Sequence, residues 1–366
     1  MDHPTEQLLV HMGPQHPSTH GVLRLDLTLD GERILDCEPV IGYLHSSLEK
    51  LAEKRTYVQY IPFSDRYDYL SSMHNNWLYC RAIETRLGIE VPRRAEYLRV
   101  LVAELQRIAS HLVFIGTFGN DLGAWTLFLY AFRERELIID LFQAISGGRL
   151  LYNYMRFGGV KADLTPDFEQ KTREFVALLP GRLDEYDRLF TQNRIMVART
   201  RGLGVLTPEV AFAYGCTGPN LRASGVGYDL RKVRPYGVYS EFDFDVCTAE
   251  EGDSHARFRM RVAECRQSLR IIEQCLDGLP SGPVRAKTPR VIKVPPGEAY
   301  TALESSRGEL GCYLVSDGSD TAYRLKWRGP SFANLQVLPE LVRGHLVADV
   351  IAVLGSIDLV VPEVDR

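Results

Sequence analysis

The sequence of 366 residues lacks the signatures of several common protein classes. Its seven cysteines are scattered and form no C-x-x-C pair, which argues against a zinc ribbon or an iron–sulfur cluster ligated by this chain alone. An odd cysteine count also argues against a disulfide framework. Neither a G-x-x-x-x-G-K-[ST] motif nor a G-x-G-x-x-G after a predicted strand is present. We therefore expect no metal and no other cofactor bound by this chain alone.

Long apolar runs and an excess of one charge are also missing. No apolar run approaches the roughly 18 residues that a membrane span needs, and the polar N-terminus has no apolar signal core. The 43 basic and 47 acidic residues give a net charge of −4 without a polybasic block, so nucleic acid is not an expected partner. We expect a soluble, cytoplasmic chain that is able to dock on a membrane protein.

The most constrained stretch is 13–25, which places His16 and His20 in a loop with two prolines inside it and a glycine at each edge. The H-x3-H spacing invites a zinc site, but the prolines forbid a helix and no third ligand is recognisable nearby. Histidines that only bond to backbone groups are a second alternative. The combination of a stiff loop with two titratable rings favours a functional role.

This loop is predicted to form the tip of a small antiparallel sheet. Residues 23–29 alternate between apolar and polar side chains, and residues 7–12 form a second short apolar run before the loop. A turn then leads to a third strand at 33–38, with Leu35 and Cys37 facing inward. The sheet is expected to hold the loop against another part of the molecule.

Helical periodicity dominates the middle of the chain. Helices are predicted at 66–87, from Pro92 to a break at 116–123, and at 125–145, 166–190 and 253–278. Glu104, Arg107 and His111 form a polar stripe, which we interpret as a solvated or subunit-facing surface rather than a buried ion-pair network. A proline-rich linker at 280–296 precedes a hairpin at 299–316, a strand at 323–327 and a buried helix at 346–354.

The predicted fold class is therefore α+β and mainly helical. Residues 1–60 form an N-terminal antiparallel sheet that carries the histidine loop. Residues 61–280 form a helical bundle, and residues 281–366 form a linker and a small α/β region.

Seven separated motifs resemble those of the quinone-site (49-kDa-type) subunit of the proton-pumping NADH:quinone oxidoreductase known as respiratory complex I. They are Gly13-Pro-Gln-His-Pro-Ser-Thr-His-Gly-Val-Leu-Arg24, Ile41-Gly-Tyr-Leu-His45, Asp65-Arg-Tyr-Asp-Tyr69, Phe132-Arg-Glu-Arg-Glu136, Arg156-Phe-Gly-Gly-Val160, Leu221-Arg-Ala-Ser-Gly225 and Val364-Asp-Arg366. The resemblance implies the fold of a nickel–iron hydrogenase large subunit. Hydrogenase activity is excluded, because the metal ligands would require a C-x-x-C pair near each end.

The resemblance implies catalytic roles for three residues. His20 matches the histidine at the tip of the quinone cavity, Tyr69 the tyrosine that faces it, and Asp121 the aspartate paired with that histidine. Reduction of a quinone requires a hydrogen-bond donor at each of two opposite carbonyls, and an imidazole and a phenol supply both. From the residues alone, Tyr69 could equally be a packing aromatic and Asp121 a cap of the following helix.

The resemblance also implies a setting for the site. Thr117 and Met73 match the quinone pocket, and Arg66 matches an arginine near the terminal [4Fe-4S] cluster, which a neighbouring subunit of the complex holds. The implied partners are the subunits B, C, I and H, of which the first holds the cluster and the last provides membrane contact, and the quinone substrate. The implied location is the cytoplasmic face of a bacterial membrane, as a peripheral protein. NADH, ferredoxin and a reduced deazaflavin remain open as electron donors.

Three departures from the family pattern limit these implications. Many members have His-Arg-Gly where this chain has His45-Ser46-Ser47, and many have a histidine at the position of Leu151. With fewer cations nearby, the cluster should be harder to reduce, which suggests a low-potential variant that feeds menaquinone. The segment 283–294 is also shorter than is usual in the family. A structural scaffold without quinone chemistry is the alternative function.

Overall fold

The computed structural model describes residues 7–16 and 21–366. The strands are β1 (Leu8–Met12), β2 (Gln15–His16), β3 (Gly21–Val22), β4 (Arg24–Asp30), β5 (Arg33–Val40), β6 (Met155–Arg156), β7 (Gly159–Val160), β8 (Gly297–Ser305), β9 (Gly308–Ser316) and β10 (Arg324–Arg328). The helices up to the middle of the chain are α1 (Leu48–Ala52), α2 (Tyr57–Ser64), α3 (Ser72–Leu87), α4 (Arg93–Asp121), α5 (Trp125–Ser146), α6 (Phe168–Thr191) and α7 (Arg194–Thr200). The remaining helices are α8 (Pro208–Ala213), α9 (Pro219–Arg222), α10 (Leu230–Val233), α11 (Ser254–Asp277), α12 (Pro330–Gln336), α13 (Leu338–Val342), α14 (Val347–Ile357) and α15 (Val361–Asp365).

The N-terminal antiparallel sheet is confirmed, with the strand order β1-β4-β5. Leu23, Leu25 and Leu27 are fully buried, as their alternation with polar residues predicts. Strands β2 and β3 pair with each other at the base of the histidine loop, so the loop is the tip of a hairpin. His16 lies in β2, whereas His20 lies outside the described residues.

The predicted orientation of the third strand is partly wrong. Leu35 is 38% exposed, whereas Ile34 and Cys37 are buried. The pairing of β4 with β5 shifts between Thr28 and Leu29, where the strands form a β-bulge. A bulge moves the side chains beyond it to the opposite face, so simple alternation does not hold through this strand.

Helix α4 continues through the break predicted at 116–123 and ends at Asp121. Its two glycines allow the close approach of α5. A β-carbon at Gly116 would lie 3.3 Å from Cα of Phe128, and one at Gly119 would lie 2.9 Å from Cδ1 of Leu127. These glycines therefore provide close helix packing instead of ending the helix.

The polar stripe on α4 is a buried ion-pair network, so its interpretation as a surface is wrong. Glu104, Arg107 and His111 are fully buried. The Glu104 carboxylate accepts hydrogen bonds from Arg231 at 3.1 Å and from Tyr239 at 2.6 Å. Burial opposes the ionisation of Glu104, but the guanidiniums of Arg107 and Arg231 outweigh it and hold its pKa below the usual range. These partners come from distant segments, which local periodicity does not reveal.

The helix predicted at 66–87 begins later, at Ser72. The carboxylate of Asp68 accepts hydrogen bonds from the backbone N–H groups of Leu70, at 3.0 Å, and of Ser71, at 3.2 Å. Such local side-chain bonds compete with helix formation. Arg66 and Tyr69 consequently lie in a turn between α2 and α3.

The last part of the chain follows the prediction closely. The hairpin of β8 and β9, the strand β10 and the buried helix α14 are all present. A second hydrophobic core joins α13 and α14 to the N-terminal sheet, so the two ends of the chain pack together. The α+β, mainly helical class is thus confirmed, while the division into three domains stays a prediction. In the described ranges, no helix has both the length and the apolar character required to cross a membrane.

Candidate functional site

Tyr69 lies in the turn before α3, which is fixed from below by buried polar contacts. Asp68 is fully buried and Tyr69 is half-buried. The hydroxyl group of Ser71 is hydrogen-bonded to that of Ser306, which is bonded in turn to the hydroxyl of Ser110 at 3.0 Å. The turn is therefore fastened both to the hairpin of β8 and β9 and to α4.

The principal link of this turn to the rest of the molecule is Arg307, at the tip of the β8–β9 hairpin. Its Nη1 donates to the carboxylate of Asp68 at 2.7 Å. Its Nε donates to the carbonyl of Asp358 at 3.0 Å, and its Nη2 lies 3.3 Å from the Asp358 carboxylate. Arg307 is buried, and we call these three residues the Arg307 bridge. It ties the Tyr69 turn to the turn between α14 and α15.

The turn between α14 and α15 also contacts the two other segments that the sequence identified. A β-carbon at Gly355 would lie 3.4 Å from Oδ2 of Asp121, at the end of α4. A β-carbon at Gly21, the residue that follows His20, would lie 3.1 Å from Cγ2 of Val361. Three segments distant in sequence therefore converge on residues 355–361.

Asp121 does not have the capping role considered for it. The N-cap position of α5 is occupied by Ala124, and no side chain caps this helix. Asp121 is instead the last residue of α4, partly exposed. Thr117, about one helical turn earlier, is also partly exposed, and its hydroxyl donates to the carbonyl of Val113 at 2.9 Å. Both side chains are therefore accessible at the same end of α4.

Met73 differs from the other candidate residues because it has no exposed surface of its own. It lies in the first turn of α3, in the main hydrophobic core and four residues beyond Tyr69. The structure thus places Met73 beneath the Tyr69 turn, and its contact with a quinone stays a prediction.

The electrostatics of the turn favour a protonated Tyr69. Burial raises the pKa of the Tyr69 phenol, the charge of Asp68 raises it further, and Arg307 opposes both. Beside this group, the buried carboxyl of Glu363 accepts one hydrogen bond from the backbone N–H of Ser331 at 3.0 Å. Burial, together with the charge of Asp68, raises the pKa of Glu363 to about 7. The site thus combines a phenol that holds its proton with a second ionisable group beneath it.

Arg66 lies at the outer edge of the same turn. It is exposed, and its Nε donates to the carbonyl of Pro62 at 3.3 Å. The neighbouring Asp65 is buried and accepts a hydrogen bond from the backbone N–H of Asn153 at 2.6 Å. Burial raises the pKa of Asp65 to about 7. Across residues 7–16 and 21–366, no group of three or more His, Cys, Asp or Glu side chains is arranged to hold a metal ion.

Sequence reasoning did not identify Arg307, Asp358 or Glu363 as residues of the site. The only local signal was an arginine at a predicted hairpin tip, and hairpin tips normally carry exposed charges. Burial reverses that expectation, because a buried arginine requires acidic partners. Those partners come from the turn before α3 and from the C-terminal turn, and local patterns do not reveal such contacts.

The chain matches known proteins over its whole length. The family described as respiratory-chain NADH dehydrogenase, 49 Kd subunit, matches residues 121–366. The chain is 56% identical over 362 residues to the NADH-quinone oxidoreductase D subunit of Geobacillus kaustophilus, with 99% of each chain covered. It is 53% identical to the subunits of the same name from Desulforamulus reducens and Dehalococcoides mccartyi, again with 99% coverage of both chains. Because so little of either chain is left unmatched, these relatives share the short form of the segment 283–294.

Proposed function

Because the chain belongs to the family of the 49-kDa subunit of respiratory-chain NADH dehydrogenase, we propose that it carries the quinone-reduction site of such an enzyme. The curated relatives are named as subunits of NADH-quinone oxidoreductase. Among the proposed partners, the subunits B, C, I and H, the first forms a cavity together with this chain and its terminal [4Fe-4S] cluster delivers the electrons. We call it the cluster-bearing subunit. The last provides the contact with the cytoplasmic face of the membrane.

The observation that carries the proposal is the convergence on residues 355–361. The Arg307 bridge brings the Tyr69 turn to this segment, while Gly355 lies against Asp121 and Val361 lies against Gly21. A donor from each of two separate segments is what a quinone requires, because its carbonyl oxygens point in opposite directions. A scaffold protein would have no need for this arrangement.

The proposed chemistry assigns a proton to each end of the quinone. Tyr69 holds its proton until negative charge develops on the nearer quinone oxygen, since burial and Asp68 both disfavour the phenolate. His20 serves the other oxygen, and Asp121 orients its ring and stabilises the protonated imidazole. When His20 gives up its proton, Asp121 loses its counter-charge, and we propose that this loss helps signal to the membrane arm. Thr117 lines the pocket, and Arg66 faces the cluster of the neighbouring subunit.

The experiment is the Tyr69→Phe variant in the intact complex. We expect at least a hundredfold loss of quinone reduction with unchanged assembly and unchanged electron transfer to artificial acceptors, because only the phenolic proton is removed. Tyr323→Phe is the matched control, since Tyr323 is 67% exposed and lies between β9 and β10, away from the Tyr69 turn in sequence. Full quinone reduction by Tyr69→Phe would favour the scaffold alternative.

A further inference from the structure

A second concave feature lies between α2, the β6–β7 hairpin and the segment 285–292. It has a volume of about 480 Å³. Three arginines, Arg156, Arg285 and Arg290, contribute its charged lining, and we call it the arginine pocket. The buried side chains of Phe157 and Ile292 form part of its apolar wall. None of these five residues belongs to the Tyr69 site.

The arginines of this pocket lack acidic partners. Arg156 donates through Nη1 to the side-chain oxygen of Asn153 and to the carbonyl of Met155, both at 2.8 Å, and Arg285 donates to the carbonyl of Phe157 at 3.2 Å. All these acceptors are neutral. Throughout the described parts of the chain, no carboxylate forms a salt bridge with Arg156, Arg285 or Arg290, although many exposed arginines of this protein do form one.

The surrounding sequence does not supply the missing negative charge. Between Asp277 and Glu298 the chain contains four basic residues and no acidic one. Burial, and to a smaller extent the charge of Arg285, lowers the pKa of Arg156, as expected for a half-buried cation without a counter-ion. The pocket is therefore a cationic site that an anion would stabilise.

The shape of the pocket favours a protein partner. Arginine, aromatic and aliphatic groups around a concave centre are typical of the energetically important part of a protein interface, and a guanidinium binds a carboxylate through two parallel hydrogen bonds. A nucleic-acid groove would need exposed aromatic rings for stacking, whereas Phe157 is 2% exposed. Pro62 lines the pocket and accepts a hydrogen bond from Arg66, so the pocket adjoins the proposed interface with the cluster-bearing subunit.

We propose that the arginine pocket receives an acidic side chain of a neighbouring subunit and thereby fixes this chain in the complex. The inference rests on the proposed function, because it requires an enzyme of several subunits. It concerns assembly, however, and assigns the pocket no part in quinone reduction.

The test combines charge reversal with zero-length cross-linking in the complete complex. We expect the double variant Arg285→Glu/Arg290→Glu to lower the yield of assembled complex at least tenfold. Arg234→Glu is the matched control, because Arg234 is also exposed and forms no salt bridge within the described residues. In the Arg290→Lys variant, a carbodiimide should join position 290 to a carboxylate of another subunit, identified by mass spectrometry.

Three results would overturn the inference: assembly of the double variant at the native yield, cross-links from position 290 only within this chain, or loss only of the phospholipid that copurifies with the complex. The last result would identify a membrane lipid as the occupant. The proposed function is tested separately, because any double-variant complex that does assemble should reduce quinone at the native rate. Should Tyr69→Phe remain fully active while the double variant fails to assemble, the quinone site would be refuted and the docking pocket would stand.

Discussion

Replacement of Arg307 by methionine tests the contact that positions Tyr69. The guanidinium of Arg307 is the common partner of Asp68 and Asp358, and all three side chains are buried. Methionine fills a similar space but provides neither the charge nor the hydrogen bonds. The variant therefore leaves the carboxylate of Asp68 without its strongest partner.

The expected cost follows from burial. Removing one member of a buried ion pair typically costs about 3–5 kcal/mol, because an uncompensated charge remains in the interior. Asp358 retains a partner, since Nε of Arg261 lies 3.4 Å from its carboxylate, so the stranded charge is mainly that of Asp68. Asp68→Asn alone should cost about 1–3 kcal/mol, because Arg307 keeps Asp358. The double variant should lose about 2 kcal/mol less than the two single losses together.

The assay is a double-mutant cycle in the free energy of unfolding of the purified chain, with quinone reduction of each assembled variant measured in parallel. Arg324→Met provides the control, because Arg324 is exposed and its bridges to Glu49 and Glu53 should contribute about 0–1 kcal/mol. We expect Arg307→Met to lose quinone reduction while transfer to artificial acceptors persists. Strictly additive losses in the cycle, or native quinone reduction by Arg307→Met, would refute the role of the bridge.

Two further predictions concern the C-terminal turn. Glu363 has a pKa of about 7 in the folded chain against an ordinary 4.5, so its contribution to stability is complete below about pH 4.5 and is lost as the pH rises through 7. Glutamine does not titrate, so the unfolding free energy of Glu363→Gln should gain about 3 kcal/mol on that of the native chain between pH 4 and pH 8, and a gap that is constant with pH would contradict the shift. Gly355→Ala would place a β-carbon 3.0 Å from Cδ2 of Phe118 and 3.4 Å from Oδ2 of Asp121, and it should lower quinone turnover several-fold by displacing the end of α4. Gly181→Ala, a helical glycine with no atom within 4 Å of the added carbon, should leave turnover unchanged and add up to about 1 kcal/mol of stability, so equal turnover of both alanine variants would count against the assigned contact.

Short-range patterns predicted the elements whose residues face a single environment. The alternation at 23–29 indicated a half-buried strand, and the hairpin at 299–316 and the helix at 346–354 were equally legible. Errors occurred where a distant contact decides the local structure. The glycines of α4 are packing positions against α5, and the helix at 66–87 starts late because Asp68 bonds to the backbone of its own turn.

The same distinction applies to the candidate site. The resemblance identified Tyr69 and Asp121, because family motifs mark residues that react. Arg307, Asp358 and Glu363 carry no motif of that kind, and their importance follows from burial beside one another. The polar stripe containing Glu104 was assigned to the surface for the same reason, since its partners Arg231 and Tyr239 lie more than a hundred residues away.

The central claim is that a quinone headgroup binds where the Tyr69 turn, the end of α4 and residues 355–361 meet. Photoaffinity labelling of the intact complex with an azido-quinone, followed by peptide mapping, tests this claim most directly. The account predicts adducts within 65–71, 117–121 or 355–361 that excess unlabelled quinone abolishes. Competed adducts found only on other subunits or in other parts of this chain would contradict it.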